Sequence, residues 1–344
     1  MPRRGDTGQV YRSRVRIPII AATLALLTAA SGCGLMGGSS GDSTTKPSAT
    51  GGAVEKQKIR VGVLPVVDVA PLYRAIDQGY FRQQGLEVEP VSVQSGPKAV
   101  EGIIGGDLDI AFTSYPGAFA AQAKGAANLK IVADAYAARP GHLVLVATKN
   151  SPMQKPEDAG GKKIAVTSKG SISDLGAMSV LKTKGVDVTK INWVPMGFPD
   201  MGPAMQQGTI DGAVVAEPFV TTTEKQYGAS PVLDVSSGPT ADISMSGWAA
   251  TDKLATANPN TMAAFQRGLA QGVSDVKSDR SKLEPILVKY VKIDAATASL
   301  VHIADYPESL DPVRLQRVAD LMSEFKVIPE KLNVQPMLLS SASK

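Results

Sequence analysis

Five short runs carry the residues best placed to do chemistry. They are Val66-Val67-Asp68, Gln94-Ser95-Gly96-Pro97, Thr113-Ser114-Tyr115-Pro116, Ser168-Lys169-Gly170-Ser171-Ile172-Ser173 and Ala216-Glu217-Pro218-Phe219. Each follows a β-branched apolar run and precedes a helix-like stretch, so each reads as a loop at the carboxyl end of a strand. Asp68 can accept a hydrogen bond from a ligand amine or amide, or it can cap the helix that follows. Ser95 opens a helix whose free N–H groups suit an anion, with Pro97 at its first turn. Ser171 and Ser173 lie in a run of small residues whose backbone N–H groups can converge on an anionic group. Ser114 and Glu217 occupy equivalent loops that would face each other across a cleft, and capping is the alternative for both. Tyr115, Tyr136, Phe198, Phe219 and Trp248 fall in the same loops and in the junctions between lobes, where they form an aromatic wall or a packed junction.

This is the chemistry of capture rather than of catalysis. No G-x-x-x-x-G-K-[ST] run is present, so a nucleotide loop is excluded. His142 and His302 are the only histidines, read as structural, and no spacing of His, Cys or carboxylates suits a metal. Neither a cofactor nor a metal is expected.

The elements that must hold these loops come in two copies. Ile59-Arg60-Val61-Gly62-Val63, Gly85-Leu86-Glu87-Val88-Glu89 and Gly106-Asp107-Leu108-Asp109-Ile110-Ala111-Phe112 recur as Lys163-Ile164-Ala165-Val166, Gly185-Val186-Asp187-Val188 and Gly208-Thr209-Ile210-Asp211-Gly212-Ala213-Val214-Val215. Each copy reads as β-α-β-α-β, an open α/β sheet whose ligands sit beyond the strand ends. Two doubly wound lobes are implied, joined by crossings at His142–Thr148 and Met245–Ala250. Past Pro259 the periodicity becomes helical over 260–276, 282–291, 295–304 and 312–325, with Leu315, Val318, Leu321 and Met322 as core. These helices are expected to pad lobe one. The boundaries follow: lobe one at 58–145 and 247–344, lobe two inserted at 146–246.

Charge sorts the ends from the middle. Arg3, Arg4, Arg12, Arg14 and Arg16 against Asp6 account for the whole net charge of +4, so the chain from Cys33 onward balances. A neutral globule lacks the footprint that nucleic acid or anionic membrane requires. The arginines, the apolar run 17–30 and the small residues after it have the three-part form of a secretory signal over 1–32. Thr28-Ala29-Ala30-Ser31-Gly32-Cys33 resembles the lipobox of bacterial lipoproteins. That resemblance implies cleavage before Cys33, lipidation of its sulfur and anchoring to the bilayer. Residues 33–57, rich in Gly, Ser, Thr and Lys, read as a flexible tether.

Leu64-Pro65-Val66-Val67-Asp68-Val69-Ala70-Pro71-Leu72-Tyr73, Gly79-Tyr80-Phe81 and Gly85-Leu86-Glu87-Val88 together resemble the opening of periplasmic substrate-binding proteins of ABC importers. The branch is the one for nitrate, sulfonates, taurine and thiamine-type pyrimidine precursors. Gly106-Asp107-Leu108-Asp109-Ile110-Ala111 with Thr113-Ser114, and Ala216-Glu217-Pro218-Phe219, extend the likeness, which spans roughly Lys58 to Phe325. It implies the type II periplasmic-binding fold and delivery of a small solute by a monomer to permease subunits. Asp68 and Glu217 favour a solute with an amine or ring N–H, because a buried carboxylate needs a partner. The helix starts and Arg139 favour an anionic end. A taurine-like zwitterion satisfies both, and no residue decides. Alternatives are an enzyme on the same scaffold, as in relatives that make the thiamine pyrimidine, and a sensory lipoprotein that presents a solute to a receptor. The enzyme needs a cysteine-rich stretch, and this chain has no cysteine beyond Cys33.

Overall fold

The structure is a computed structural model that describes residues 52–303 and 305–342. The signal segment, Cys33 and most of the tether lie outside the described residues. Among the described residues ten strands form two five-stranded sheets: β1 (Lys58–Val63), β2 (Glu87–Ser92), β3 (Ile110–Ser114), β4 (Leu129–Ala137), β5 (Leu143–Thr148), β6 (Lys163–Val166), β7 (Asn192–Pro195), β8 (Gly212–Ala216), β9 (Ala229–Asp234) and β10 (Ser244–Thr251). The sheet orders are β2-β1-β3-β10-β4 and β7-β6-β8-β5-β9. In the first, β1 runs parallel to β2 and β3, and β10 lies antiparallel between β3 and β4. The second repeats this with β6 parallel to β7 and β8, and β5 antiparallel between β8 and β9.

Sequence explains much of that order. All of β8 and residues Ile110–Thr113 of β3 are buried, as strands covered on both faces require. Pro90, Pro195 and Pro231 fall in β2, β7 and β9, which are sheet edges where a missing N–H does least harm.

The runs read from sequence as crossings are instead interior strands, β5 wholly in the second sheet and β10 wholly in the first. The chain passes between sheets at 138–142 and 235–243. An apolar β-branched run looks the same whether it links sheets or completes one, which is why periodicity could not tell them apart.

The helix Pro259–Ser278 lies on the helix Ala70–Asp77. Phe265 stacks on Phe81 with ring centroids 5.5 Å apart. The approach is close because Gly272 has no side chain: a Cβ there would stand 2.1 Å from the carbonyl oxygen of Pro71. The helix expected over 282–291 is broken into short turns, with Pro285 in its first turn and Lys292 left-handed at its end. That expected over 295–304 shrinks to Ala295–Ala298. The helix Pro312–Glu324 buries Leu315, Val318 and Met322, with Leu321 half-buried. It packs on the helix Tyr115–Ala123 and reaches the helix Ile172–Thr183 of the other lobe, where Lys182 pairs with Glu324 at 2.9 Å.

Candidate functional site

Between the sheets, at the carboxyl ends of strands from both, lies a cavity of about 60 Å³. Its shape follows from four helix starts. Helices Gly96–Gly105 and Tyr115–Ala123 follow β2 and β3, and helices Ile172–Thr183 and Phe198–Gln206 follow β6 and β7. Gly96, Ser114, Ser173 and Phe198 bring all four to the cavity wall. Helix starts present free N–H groups and a partial positive charge. Among the described residues no lysine or arginine lines the wall, so the attraction for an anion comes chiefly from backbone.

The same lining carries a carboxylate and an imidazole. Asp68, just after β1, accepts a hydrogen bond on Oδ2 from Ser246 of β10 at 3.1 Å. Its Oδ1 pairs with Nε2 of His142 at 2.8 Å, both side chains buried. The Tyr136 ring lies 3.8 Å from the His142 ring, centroid to centroid, and its hydroxyl accepts from the Arg139 N–H at 3.1 Å. Burial drives the Tyr136 phenol far above its usual range, helped by the Asp68 charge, so it stays neutral.

Asp68, Ser114, Tyr136, Ser173 and Phe198 thus meet at one cavity. The other six singled out from sequence do not line it, each for a local reason. The Ser95 hydroxyl caps its helix, accepting from the Lys98 N–H at 3.4 Å. Ser171 is held in a capping box, with its N–H 2.8 Å from Asp174 and its hydroxyl donating to the Ser168 carbonyl. Tyr115 is fully buried and donates to Asp134 at 2.8 Å. It passes so close to β10 that a Cβ on Gly247 would stand 2.3 Å from its hydroxyl. Trp248 is core, edge-on to Phe112 and Phe265. Phe219 stacks behind Phe198 at 5.4 Å.

Glu217 is fully buried away from the cavity. It accepts from Thr221 and from the backbone and Nδ1 of His302 at 2.9 and 2.8 Å. Its carbonyl also accepts from the Val67 N–H at 3.0 Å, so it ties the second lobe to the first. Arg139 pairs with Asp305 at 3.0 Å and does not reach the cavity.

His142, Ser246, Thr167 and Met245 line the site without having been singled out for it. A lone histidine ahead of an apolar run reads as core. The usable signal was position, since His142 ends one passage between lobes and Ser246 follows the other. Among the described residues no group of His, Cys, Asp and Glu could hold a metal ion.

Two lobes of one strand order, linked by two passages and sharing a cavity at their strand ends, have the architecture of a protein that holds a small molecule between lobes. The chain belongs to the NMT1-like family, whose model matches residues 52–282. A Bacillus subtilis (strain 168) relative named for aliphatic-sulfonate binding is 24% identical over 336 residues, 93% of each chain. The taurine-binding periplasmic protein of Escherichia coli (strain K12) is 27% identical over 220 residues, 62% of this chain and 66% of that one. The fold is that of periplasmic binding proteins. The alkanesulfonate-binding protein of Xanthomonas axonopodis pv. citri, solved bound to MOPS, matches with a TM-score of 0.72 at 20% identity, over 83% of this chain and 99% of that one. These relatives are binding proteins rather than enzymes.

Proposed function

We propose that this chain is an extracytoplasmic solute-binding lipoprotein that closes on a small anion of the sulfonate type and hands it to the permease of an ABC importer. The observation that carries the reading is the meeting of four helix starts, two from each lobe, on one small cavity lined by no lysine or arginine of the described residues. An oxyanion there is bound by N–H groups of both lobes at once, so binding and closure are the same event. The resemblance to sulfonate- and taurine-binding relatives points the same way. Anchoring through Cys33 belongs to this proposal and is tested separately, by whether Cys33→Ala releases the protein from membranes.

The solute reading is tested by thermal shift with alkanesulfonates, taurine, nitrate and hydroxymethylpyrimidine, followed by solution scattering. A ligand at one hundred times its Kd stabilises by about 2.7 kcal/mol, and the radius of gyration should contract on binding. A solute that stabilises the protein without contraction would remove the clamp. Stabilisation by the pyrimidine alone would remove the anion.

A further inference from the structure

His142 lines the cavity with one ring nitrogen engaged and the other not. Nε2 pairs with Oδ1 of Asp68 at 2.8 Å. Nδ1 has no hydrogen-bond partner among the described residues, although the residue is only 2% exposed. Buried polar atoms are paired in the great majority of cases, so Nδ1 calls for a partner that the chain itself does not supply. A carboxylate only accepts, so a neutral imidazole keeps its N–H on Nε2 and leaves Nδ1 a bare acceptor, which an anion cannot use. A protonated imidazole donates from both nitrogens.

Charge leads to the same place. Among the described residues of the lining, the ionisable side chains are Asp68, His142 and the phenol of Tyr136. With a neutral ring, an ionised Asp68 gives the cavity one net negative charge, and like charges in a buried site repel. With a protonated ring the pair is neutral. The groups around the ring offer no substitute. Tyr136 and Tyr306 stay neutral, because burial drives both phenols far above their usual range. Glu217 gives its N–H to the His142 carbonyl at 3.0 Å and keeps its carboxylate on Thr221 and His302. Asp234 accepts from the Gly141 N–H at 2.9 Å, and Arg139 is exposed and paired with Asp305.

We infer that the solute's oxyanion and a proton bind together: the ring of His142, held through Nε2 by Asp68, takes a proton from solvent and donates from Nδ1 to the anion. The inference rests on the oxyanion reading of the helix starts and adds a side chain to their backbone donors.

The test is imidazole nitrogen NMR of the intact chain across a pH series, with and without saturating ethanesulfonate, which stays anionic throughout. The chain has two histidines, and His302→Gln assigns their signals. The titration midpoint of His142 should rise by at least about one pH unit with the probe bound. By linkage, ethanesulfonate affinity should fall at least about tenfold as pH rises through the two midpoints. In His142→Gln the affinity should not vary over that range. An unmoved His142 midpoint, or the same pH dependence in His142→Gln, would overturn the inference while probe binding left the oxyanion reading standing. No binding at millimolar concentration, whatever the pH, would overturn both. Should either variant not fold by circular dichroism, wild type alone decides, and a chain in which neither ring's midpoint moves refutes the inference.

Discussion

Replacing Asp134 with asparagine should make the protein more stable above neutrality and flatten the dependence of its stability on pH. Asp134 sits in β4, 4% exposed. Its Oδ1 accepts from the Tyr115 hydroxyl at 2.8 Å and the Ala135 N–H at 3.0 Å, and its Oδ2 from Ser244 at 3.1 Å. Burial pushes its carboxyl from 3.8 up to about 7, against the pull of those hydrogen bonds and of Arg314. The folded chain therefore keeps a proton that the unfolded chain has lost, and stability falls as pH rises from about 4 to about 7. At about 1.36 kcal/mol per pH unit over about three units, the loss reaches about 4 kcal/mol. Asparagine can keep both bonds to Oδ1 and donate from Nδ2 to the Ser244 oxygen, without titrating. The variant should match wild type near pH 4 and exceed it by up to about 4 kcal/mol at pH 8, worth roughly 8–16 °C in Tm for a chain of this size. Thermal unfolding of both proteins between pH 4 and 8, followed by circular dichroism, reads this directly. A Tm difference that stays constant across the range, or a variant less stable at pH 8, would refute the reasoning.

Gly272→Ala should destabilise the fold by about 1–3 kcal/mol by overpacking, despite the better helix propensity of alanine, because the new Cβ meets Pro71 backbone rather than a side chain that could swing away. Urea unfolding measures it, and an unchanged midpoint would mean that the two helices separate freely. Ser173→Asp should lower affinity for any bound sulfonate at least about tenfold, by about 1.4 kcal/mol or more, since it sets a carboxylate in the first turn where the anion is held. A negative charge there suits the helix itself, so circular dichroism should show the fold retained. Unchanged sulfonate affinity would move the anion away from that helix start.

Much of the architecture was legible because the repeat is written twice. Lys163–Val166 and Gly212–Ala216 stand to the second sheet as Ile59–Val63 and Ile110–Phe112 stand to the first. That β5 and β10 are interior strands rather than crossings was not legible, since strand-like character says nothing about which sheet a strand joins. At the site, sequence located the right loops but could not assign side chains within them. Ser114 and Ser95 both precede a helix-starting proline, yet Ser95 spends its hydroxyl on Lys98 whereas Ser114 makes no cap bond and lines the cavity. Ser171 and Ser173 are two residues apart, and the helical turn aims only the second inward. Glu217 looked like a ligand carboxylate because its partner, His302, lies 85 residues away in sequence.

The interleaving of β5 and β10 also dictates an order of assembly. In each sheet the antiparallel strand is interior, not an edge. While a growing chain is shorter than residue 244, the first sheet has β3 and β4 but nothing to join them, and both carry unpaired N–H and C=O groups. The second sheet has all its strands once β9 is made. The lobe encoded in the middle can therefore close before the lobe that begins the chain, whose two halves wait for a strand delivered across the whole of its neighbour. Long-range closure of this kind is slow and leaves edges open to mispairing. Neither half of the first lobe should be expected to fold as an isolated piece.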